Sequence, residues 1–366
     1  MKRERAKTSM TMKKRIILLL LLFCIPSLSK GTGTFDADSL QEREIPTTKR
    51  ENIFHRTVNF IERLLEQDTF YVEPNRYNLS VMPQYTYGYE YYRFSAQNKE
   101  QNIVISPSSN NKLGVSFGWR WIFVGYSFAL NNVQPEIDMD LNLYCSRAGI
   151  ELFYRKRSDG FKIRSLKGFY ENDIPLANYN KEFNGLSTSQ VGANVFYIFN
   201  SKKFSFPAAY SQSTNQRKSA GSLILGLSYN EQLFMFDHTT IDSKIESQML
   251  PELKFKKIDY MDLSINFGYS YNWVFAKNFL ANISSSPAIG YKSTSLKSLI
   301  SSNTEFISSI NFDLVSRLAL VYNNGRYYAG ASFVSHTYSY SNPSLSIING
   351  FGYLKIYAGF NFWRRK

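Results

Sequence analysis

Apolar and polar side chains take turns along residues 137–157. Ile137, Met139, Leu141 and Leu143 alternate with Asp138, Asp140, Asn142 and Tyr144; after a break at residues 146–149, Ile150, Leu152 and Tyr154 stand against Glu151, Phe153, Arg155 and Arg157. A period of two puts successive side chains on opposite faces of a strand, so the stretch reads as a hairpin with one apolar and one charged surface. Soluble sandwiches alternate too. The hairpin alone therefore leaves two architectures open, a sandwich and a membrane barrel whose apolar face meets lipid.

The same two-faced pattern returns at residues 77–94, 112–119, 121–130, 187–200, 218–233, 258–275, 279–291, 305–321, 326–340 and 347–363. In the 258–275 stretch Met261, Leu263, Ile265, Phe267, Tyr269 and Tyr271 alternate with Asp262, Ser264, Asn266, Gly268, Ser270 and Asn272, a longer run than sandwich strands usually show. Gly114, Gly118, Gly226, Gly268 and Gly359 fall on the polar face, where small residues let tilted strands curl into a closed wall. Pro83 lacks a ladder donor and predicts weak pairing or a bulge in the first strand. Connections alternate between short (residues 146–148, 276–278, 323–325) and long (95–111, 158–186, 235–257, 292–304). This is the rhythm of short periplasmic turns and long outer loops, and it predicts an all-β fold, a transmembrane antiparallel β-barrel of about twelve strands, within a range of roughly 10–14. Residues 204–212 also look strand-like, but counting them makes the total odd and sends the two chain ends to opposite sides. With Pro207, Ala208 and Ala209 in it, the segment is expected to be a periplasmic or lumen-inserted loop. The alternative is a further strand balanced by another near residues 161–169.

The N-terminal region has a different character. Lys13, Lys14 and Arg15 precede a short apolar run over residues 16–25, and small residues follow, so residues 1–29 read as a cleaved signal peptide, with Met12 an alternative start. Residues 30–70 are expected to form a periplasmic segment with a short amphipathic helix, marked by Thr48 and Glu51 at capping-box spacing and by Phe54, Val58, Ile61 and Leu65 on one face. Residues 71–366 are then the barrel, in the outer membrane of a Gram-negative envelope. The chain has 16% aromatic residues and is too polar for a helical membrane protein, as a barrel with one wet face should be. Its net charge of +14 falls to about +8 once the leader, with seven Lys or Arg and one Glu, is removed. That residue of charge is dispersed, which argues against nucleic-acid binding. Cys145 is the one mature cysteine, so no intramolecular disulfide forms.

Several stretches together resemble an uncharacterised bacterial family, domain of unknown function 4421. They are residues 68–74 (Asp68, Tyr71, Val72, Glu73, Pro74), 113–121 (with Arg120 and Trp121), 149–156 (Tyr154, Arg155) and above all 199–212 running into 218–222 (Phe199, Asn200, Lys203, Phe204, Ser205, Ala208, Ala209, Ser211, Gln212). The resemblance implies an outer-membrane barrel and carries no assigned activity.

Candidate chemistry is sparse. The three histidines are His55 in the N-terminal helix, His238 in a loop and His336 on a strand beside Ser335. His336 invites comparison with barrel lipid hydrolases, although adjacent strand residues point to opposite faces. Asp138, Asp140, Glu151 and Arg155 are expected to share the lumen with Asp262, Asp313, Arg317 and Lys355, either bracing the wall, binding or conducting a solute, or exchanging protons. Phe204, Tyr210, Gln212, Gln216 and Lys218 mark the distinctive segment as a second candidate, with rings that bury and amides that satisfy backbone groups. No phosphate loop, paired-cysteine motif or serine elbow implies a cofactor or metal. The expected partners are outer-membrane lipid, the barrel assembly machinery that reads a terminal aromatic such as Trp363, and a periplasmic partner for the N-terminal helix, around a monomer. A closed barrel predicts heat-modifiable gel migration of the protein from isolated outer membranes; a freely soluble periplasmic protein would end the barrel reading.

Overall fold

A computed structural model describes residues 67–364 apart from 97–99, 109–110, 120–121, 131–135, 172–173, 177, 299–303 and 342–344. The expected signal peptide and amphipathic helix lie outside the described residues. In chain order the strands are β1 (Val72–Pro74), β2 (Tyr77–Ala96), β3 (Asn102–Pro107), β4 (Asn111–Trp119), β5 (Ile122–Ala129), β6 (Glu136–Tyr144), β7 (Ala148–Arg157), β8 (Phe161–Lys167), β9 (Tyr170–Glu171), β10 (Ile174–Pro175), β11 (Lys181–Phe183), β12 (Leu186–Ile198), β13 (Thr214–Gln216), β14 (Ala220–Phe236), β15 (Phe255–Ala276), β16 (Phe279–Ser298), β17 (Thr304–Asn323), β18 (Tyr327–Ser341) and β19 (Leu345–Arg364). Two short helices, α1 (Phe206–Tyr210) and α2 (Ser243–Gln248), sit between β12 and β13 and between β14 and β15.

The antiparallel ladder runs β2–β4–β5–β6–β7–β12–β14–β15–β16–β17–β18–β19 and returns from β19 to β2, so the sheet closes on itself. Each segment with the two-faced pattern supplies one strand of this ring. Its sides are inverted relative to a soluble protein. On β15, Ile265 and Phe267 are 59% and 53% exposed on the outer face, while Ser270 and Asn272 are fully buried on the inner one. That is the exterior of a membrane barrel, apolar outside and polar within. Aromatic rings gather outside at the short-turn end, where Trp273, Phe275, Phe279 and Tyr322 follow one another as tilted pairs with centroids 5.0–5.8 Å apart. The girdle marks a membrane–water boundary.

Pro83 behaves as its missing N–H requires. It pairs with Val115 on the β4 side, but on the β19 side the ladder skips from Gln84–Tyr357 to Val81–Phe360 without a change of register.

Long connections are more ordered than expected. β2 forks: its first part pairs with β4, and Tyr92 to Ser95 pair instead with β3, which continues through β8 to β11. A strand does form near residues 161–169, as β8, but in this side sheet and outside the ring. The inner face of the side sheet, with Ile103, Ile105, Phe161, Ile163 and Leu166, packs on Phe234, Phe255, Ile258 and Ile347 of the barrel wall. One end of the barrel thereby acquires an ordinary hydrophobic core. Amides tie the cap together: Gln101 donates to Gly168 O and Gln248 O and accepts from Leu250 N, and Gln248 exchanges two hydrogen bonds with the Tyr170 backbone.

Placing Arg at Ile265 should cost about 2–4 kcal/mol, the penalty for a basic side chain facing hydrocarbon midway along a strand. Reversible urea unfolding in lipid vesicles measures it; an unchanged midpoint would take Ile265 out of the hydrocarbon.

Candidate functional site

The distinctive segment after β12 is inserted in the lumen as expected, but five of its residues form a helix, α1, where only a loop was expected, and the sequence explains why. The Ser205 hydroxyl caps α1 by accepting from Ala208 N at 3.3 Å, Pro207 stands in the first turn, and two alanines follow. The helix lies inside the barrel. On one side Phe206 meets Tyr144 and Phe196 at 5.2 and 5.0 Å between ring centroids; on the other, Ala208 and Ala209 pack on Leu280, Ala319 and Val321. Opposite walls are joined through one turn and a half of helix.

Polar groups fix it there. Tyr210 donates to Asn282 Oδ1 at 2.6 Å, and burial raises its phenol above the usual range, against the nearby Arg317, so the donor proton stays in place. Gln212 adopts φ 60° beyond the helix, donates to the Tyr357 hydroxyl at 2.9 Å and accepts from Asn323 Nδ2 at 3.3 Å. Gln216 accepts from Ser205 N and Asn272 Nδ2 and donates to Lys203 O and Lys218 O. One amide thus satisfies four groups that would otherwise be buried unpaired. β1 then pairs with β13, Arg217 contacts Glu73, and the Lys218 ammonium sits 3.1 Å from the centre of the Phe70 ring. All five candidate residues of the segment, Phe204, Tyr210, Gln212, Gln216 and Lys218, belong to this insert or its strap.

The charged residues expected in the lumen divide into two groups. In the first, Arg317 reaches across from β17 to Glu151 on β7, with Nη2 to Oε2 at 2.9 Å, and both side chains are nearly enclosed. Tyr144 and Asn194 donate to the same carboxylate at 2.8 and 2.9 Å. Arg317 also stands 5.9 Å from the Phe206 ring, so strut and insert touch. Arg155 pairs with Asp140 at 3.3 Å and lies over Phe351 at 4.3 Å. Asp138 is on β6, and its side chain is outside the described ones.

Asp313 is not in that group. Its carboxyl lies with that of Asp262 beside the fully buried Lys292, whose ammonium donates to Ser339 O at 2.8 Å while Ser339 N donates to Asp313. Lys292 was assigned by its pattern to a loop, but β16 continues past it to Ser298. Glu90 and Arg157, 3.9 Å apart, are likewise lumenal residues that the pattern did not single out. Acids and bases on inward positions of the long strands were the available signal.

His336 is in the lumen, stacked on Phe351 at 4.8 Å, and its Nδ1 has no hydrogen-bond partner among the described residues. Ser335 points the other way: its hydroxyl is hydrogen-bonded to that of Tyr89, whose ring stacks on the outer-face Phe333. His238 is held by Glu246 at 2.8 Å in the cap. Between the insert and the cap lies a cavity of about 180 Å³, with Arg155, Glu151, Arg317, His336, Tyr353 and Tyr210 in its lining.

Residues 66–362 match the profile of a domain of unknown function, DUF4421. The chain belongs to this family. No curated protein matches it. Among solved structures, this DUF4421 barrel aligns with the outer-membrane protease OmpT from Escherichia coli at 7% identity and TM-score 0.37, covering 79% of this chain and 98% of that one. It aligns with the translocator domain of autotransporter NalP from Neisseria meningitidis at 7% identity and TM-score 0.29 (84% and 97% covered), and with OprG from Pseudomonas aeruginosa at 10% and 0.25 (79% and 98%). Overlaps this loose carry no argument about function, which has to come from the DUF4421 lumen itself.

Replacing Arg317 with Met leaves Glu151 charged and enclosed, so it should cost about 3–5 kcal/mol, whereas Arg317→Met with Glu151→Leu should regain most of that. Vesicle unfolding of the single and double variants measures the difference; equal losses would mean that the strut is not a coupled pair.

Proposed function

We propose that this protein is a closed outer-membrane barrel with a non-enzymatic role, a surface structural or binding protein rather than an open diffusion channel. The observation that carries this reading is α1, seated across the lumen between the Tyr144–Phe196 wall and the Leu280–Val321 wall and fastened by Gln212 and Gln216. The Arg317–Glu151 strut crosses the same bore. An aqueous pathway would need both to move, and the hydrophobic cap at the far end leaves little reason for them to do so. In this reading short turns and insert face the periplasm, the cap faces outward, lipid surrounds the wall, and the assembly machinery inserts a monomer. Residues 67–71, which lead into β1, lie beside the insert, and a periplasmic partner of the expected N-terminal helix belongs to the same reading.

Against the hydrolase alternative stands the surroundings of His336. A general base needs a nucleophile within hydrogen-bond reach, and its neighbour Ser335 is engaged on the opposite face of the strand. The stack on Phe351 gives the imidazole a packing role.

Purified protein in planar bilayers should therefore show no steady unitary conductance, and detergent-solubilised protein should release no fatty acid from lipid. Replacing residues 204–216 with a short Gly-Ser linker, together with Arg317→Met and Glu151→Leu to remove the strut, should open conductance that fluctuates as the linker moves. Steady unitary steps from the intact protein would overturn the closed-barrel reading.

A further inference from the structure

Charge is distributed differently at the two ends of the barrel. In the cap, acids and bases are mixed: Glu171 meets Lys244 at 3.4 Å, and Lys162 of β8 stands opposite Glu182 of β11. The short-turn end is basic. Arg147, Lys202, Lys203, Lys277 and Arg364 surround the strap there, and Asp68 and Glu73 are the acids among the described residues of that end. A field of one sign over one end of a protein steers ligands of the opposite sign towards it.

Within this end lies a cleft of about 230 Å³, with β1, the start of β2 and the strap on one side and the β17–β18 turn on the other. Its walls are held by amides of the chain itself. Asn215 donates to Asn323 O at 2.7 Å and so joins strap to turn, Asn361 donates to Gly325 O at 2.9 Å, and Asn324 Oδ1 accepts from the backbone of Arg326 and Tyr327. Gly325, at φ 93°, has nothing within 4 Å of where a side chain would begin, so the tip of the turn faces open space. Three guanidiniums line the cleft against one carboxylate. Arg76 meets Glu73 Oε1 at 2.9 Å, and Arg217 meets the other oxygen of the same group. Arg326 is exposed, stands 5.6 Å from the centre of the Tyr327 ring, and pairs with no carboxylate among the described residues.

We propose that this cleft binds an acidic peptide from the compartment that the short turns face, which is the periplasm in the orientation given above, on which the proposal rests. Arg326 takes one carboxylate by charge-assisted hydrogen bonds. Arg76 and Arg217 share a single internal counter-charge and take a second. The three guanidiniums come from separate segments, so a ligand with spaced carboxylates engages more of them than a compact anion does. A lipid headgroup fits less well. The cleft reaches Gln212, which is bonded to Tyr357 and Asn323 inside the ring, whereas the lipid-facing wall at this level carries the aromatic girdle. The volume suits a short stretch of peptide, and binding it requires no opening of the lumen.

The test uses the full mature protein in nanodiscs of zwitterionic lipid. The probe is an acetylated tetrapeptide of two glutamates and two alanines, and the control is its glutamine counterpart with an amidated C-terminus. The acidic peptide should bind at one equivalent and at least about tenfold more tightly than the neutral one. Arg326→Gln should weaken it about tenfold, the loss of one charge-assisted contact. Glu73→Gln should tighten it about threefold, because the carboxylate that competes for Arg76 and Arg217 is gone. The acidic peptide carrying a photoreactive diazirine should label the residues that line the cleft. Equal binding of the neutral peptide, an unchanged affinity in Arg326→Gln, unchanged or weaker binding in Glu73→Gln, or label placed elsewhere would overturn the proposal. Inorganic phosphate displacing the peptide at equal concentration would overturn it in favour of a plain anion site, and loss of binding in phosphatidylglycerol nanodiscs in favour of lipid headgroups. If a variant loses heat-modifiable migration, the wild-type probe comparison and label positions decide alone. None of these outcomes bears on conductance, so the closed-barrel reading is tested separately.

Discussion

Backbone amides in hydrocarbon have no water to turn to, and this constraint governs the architecture. It explains why β2 pairs with both β4 and β19, leaving the ring no edge along those strands, and why the strands of the ring recur so regularly in the sequence. It also inverts the usual distribution of side chains: apolar residues serve the solvent, which is lipid, and polar residues make the core. A polar core holds its shape by direction rather than by volume. Glu151 illustrates this, with Tyr144, Asn194 and Arg317 converging on one carboxylate from three strands. Each contact restricts where the others can be.

The insert obeys the same rule with different means. A helix of five residues has almost no internal hydrogen bonding to sustain it, so its survival depends on surroundings that accept its exposed backbone groups. Ser205, Gln212 and Gln216 do this from within the segment and Asn272 does it from the wall, while Asn282 and Asn323 hold the side chains of Tyr210 and Gln212. The aromatic rings fill the remaining space. The amides and rings that make this stretch distinctive as sequence are the same groups that make it fit the bore.

The wall was legible because the side-chain period of a strand is fixed by backbone geometry and survives in every ring segment. Much of the interior was not. Arg317 meets Glu151 because of how the strands are staggered around the ring, which no local spacing reports. Lys292 was lost with the end of its strand, since the pattern fades once β16 leaves the membrane and its outer residues become polar. The cap was missed because β3 and β8 are short and their apolar residues, such as Ile103 and Ile105, fit a loop as readily as a strand. Residues 204–210 alternate Phe204, Phe206 and small residues well enough to imitate a strand, and Pro207, which suits a helical first turn, was read as a breaker.

The two-sided pairing of β2 also orders events in time. Tyr77 near the start of the strand is registered with Arg364 at the end of β19, so the ring cannot shut until β19 has been delivered. Closing so distant a contact is slow, and meanwhile β2 and the growing last strand both present open edges that invite pairing with other chains. The ladder gap opposite Pro83 falls on this very joint. The last seam of the barrel to form therefore contains its own missing link a few residues from the short-turn end, at the step where a nascent chain is most in need of a chaperoning surface.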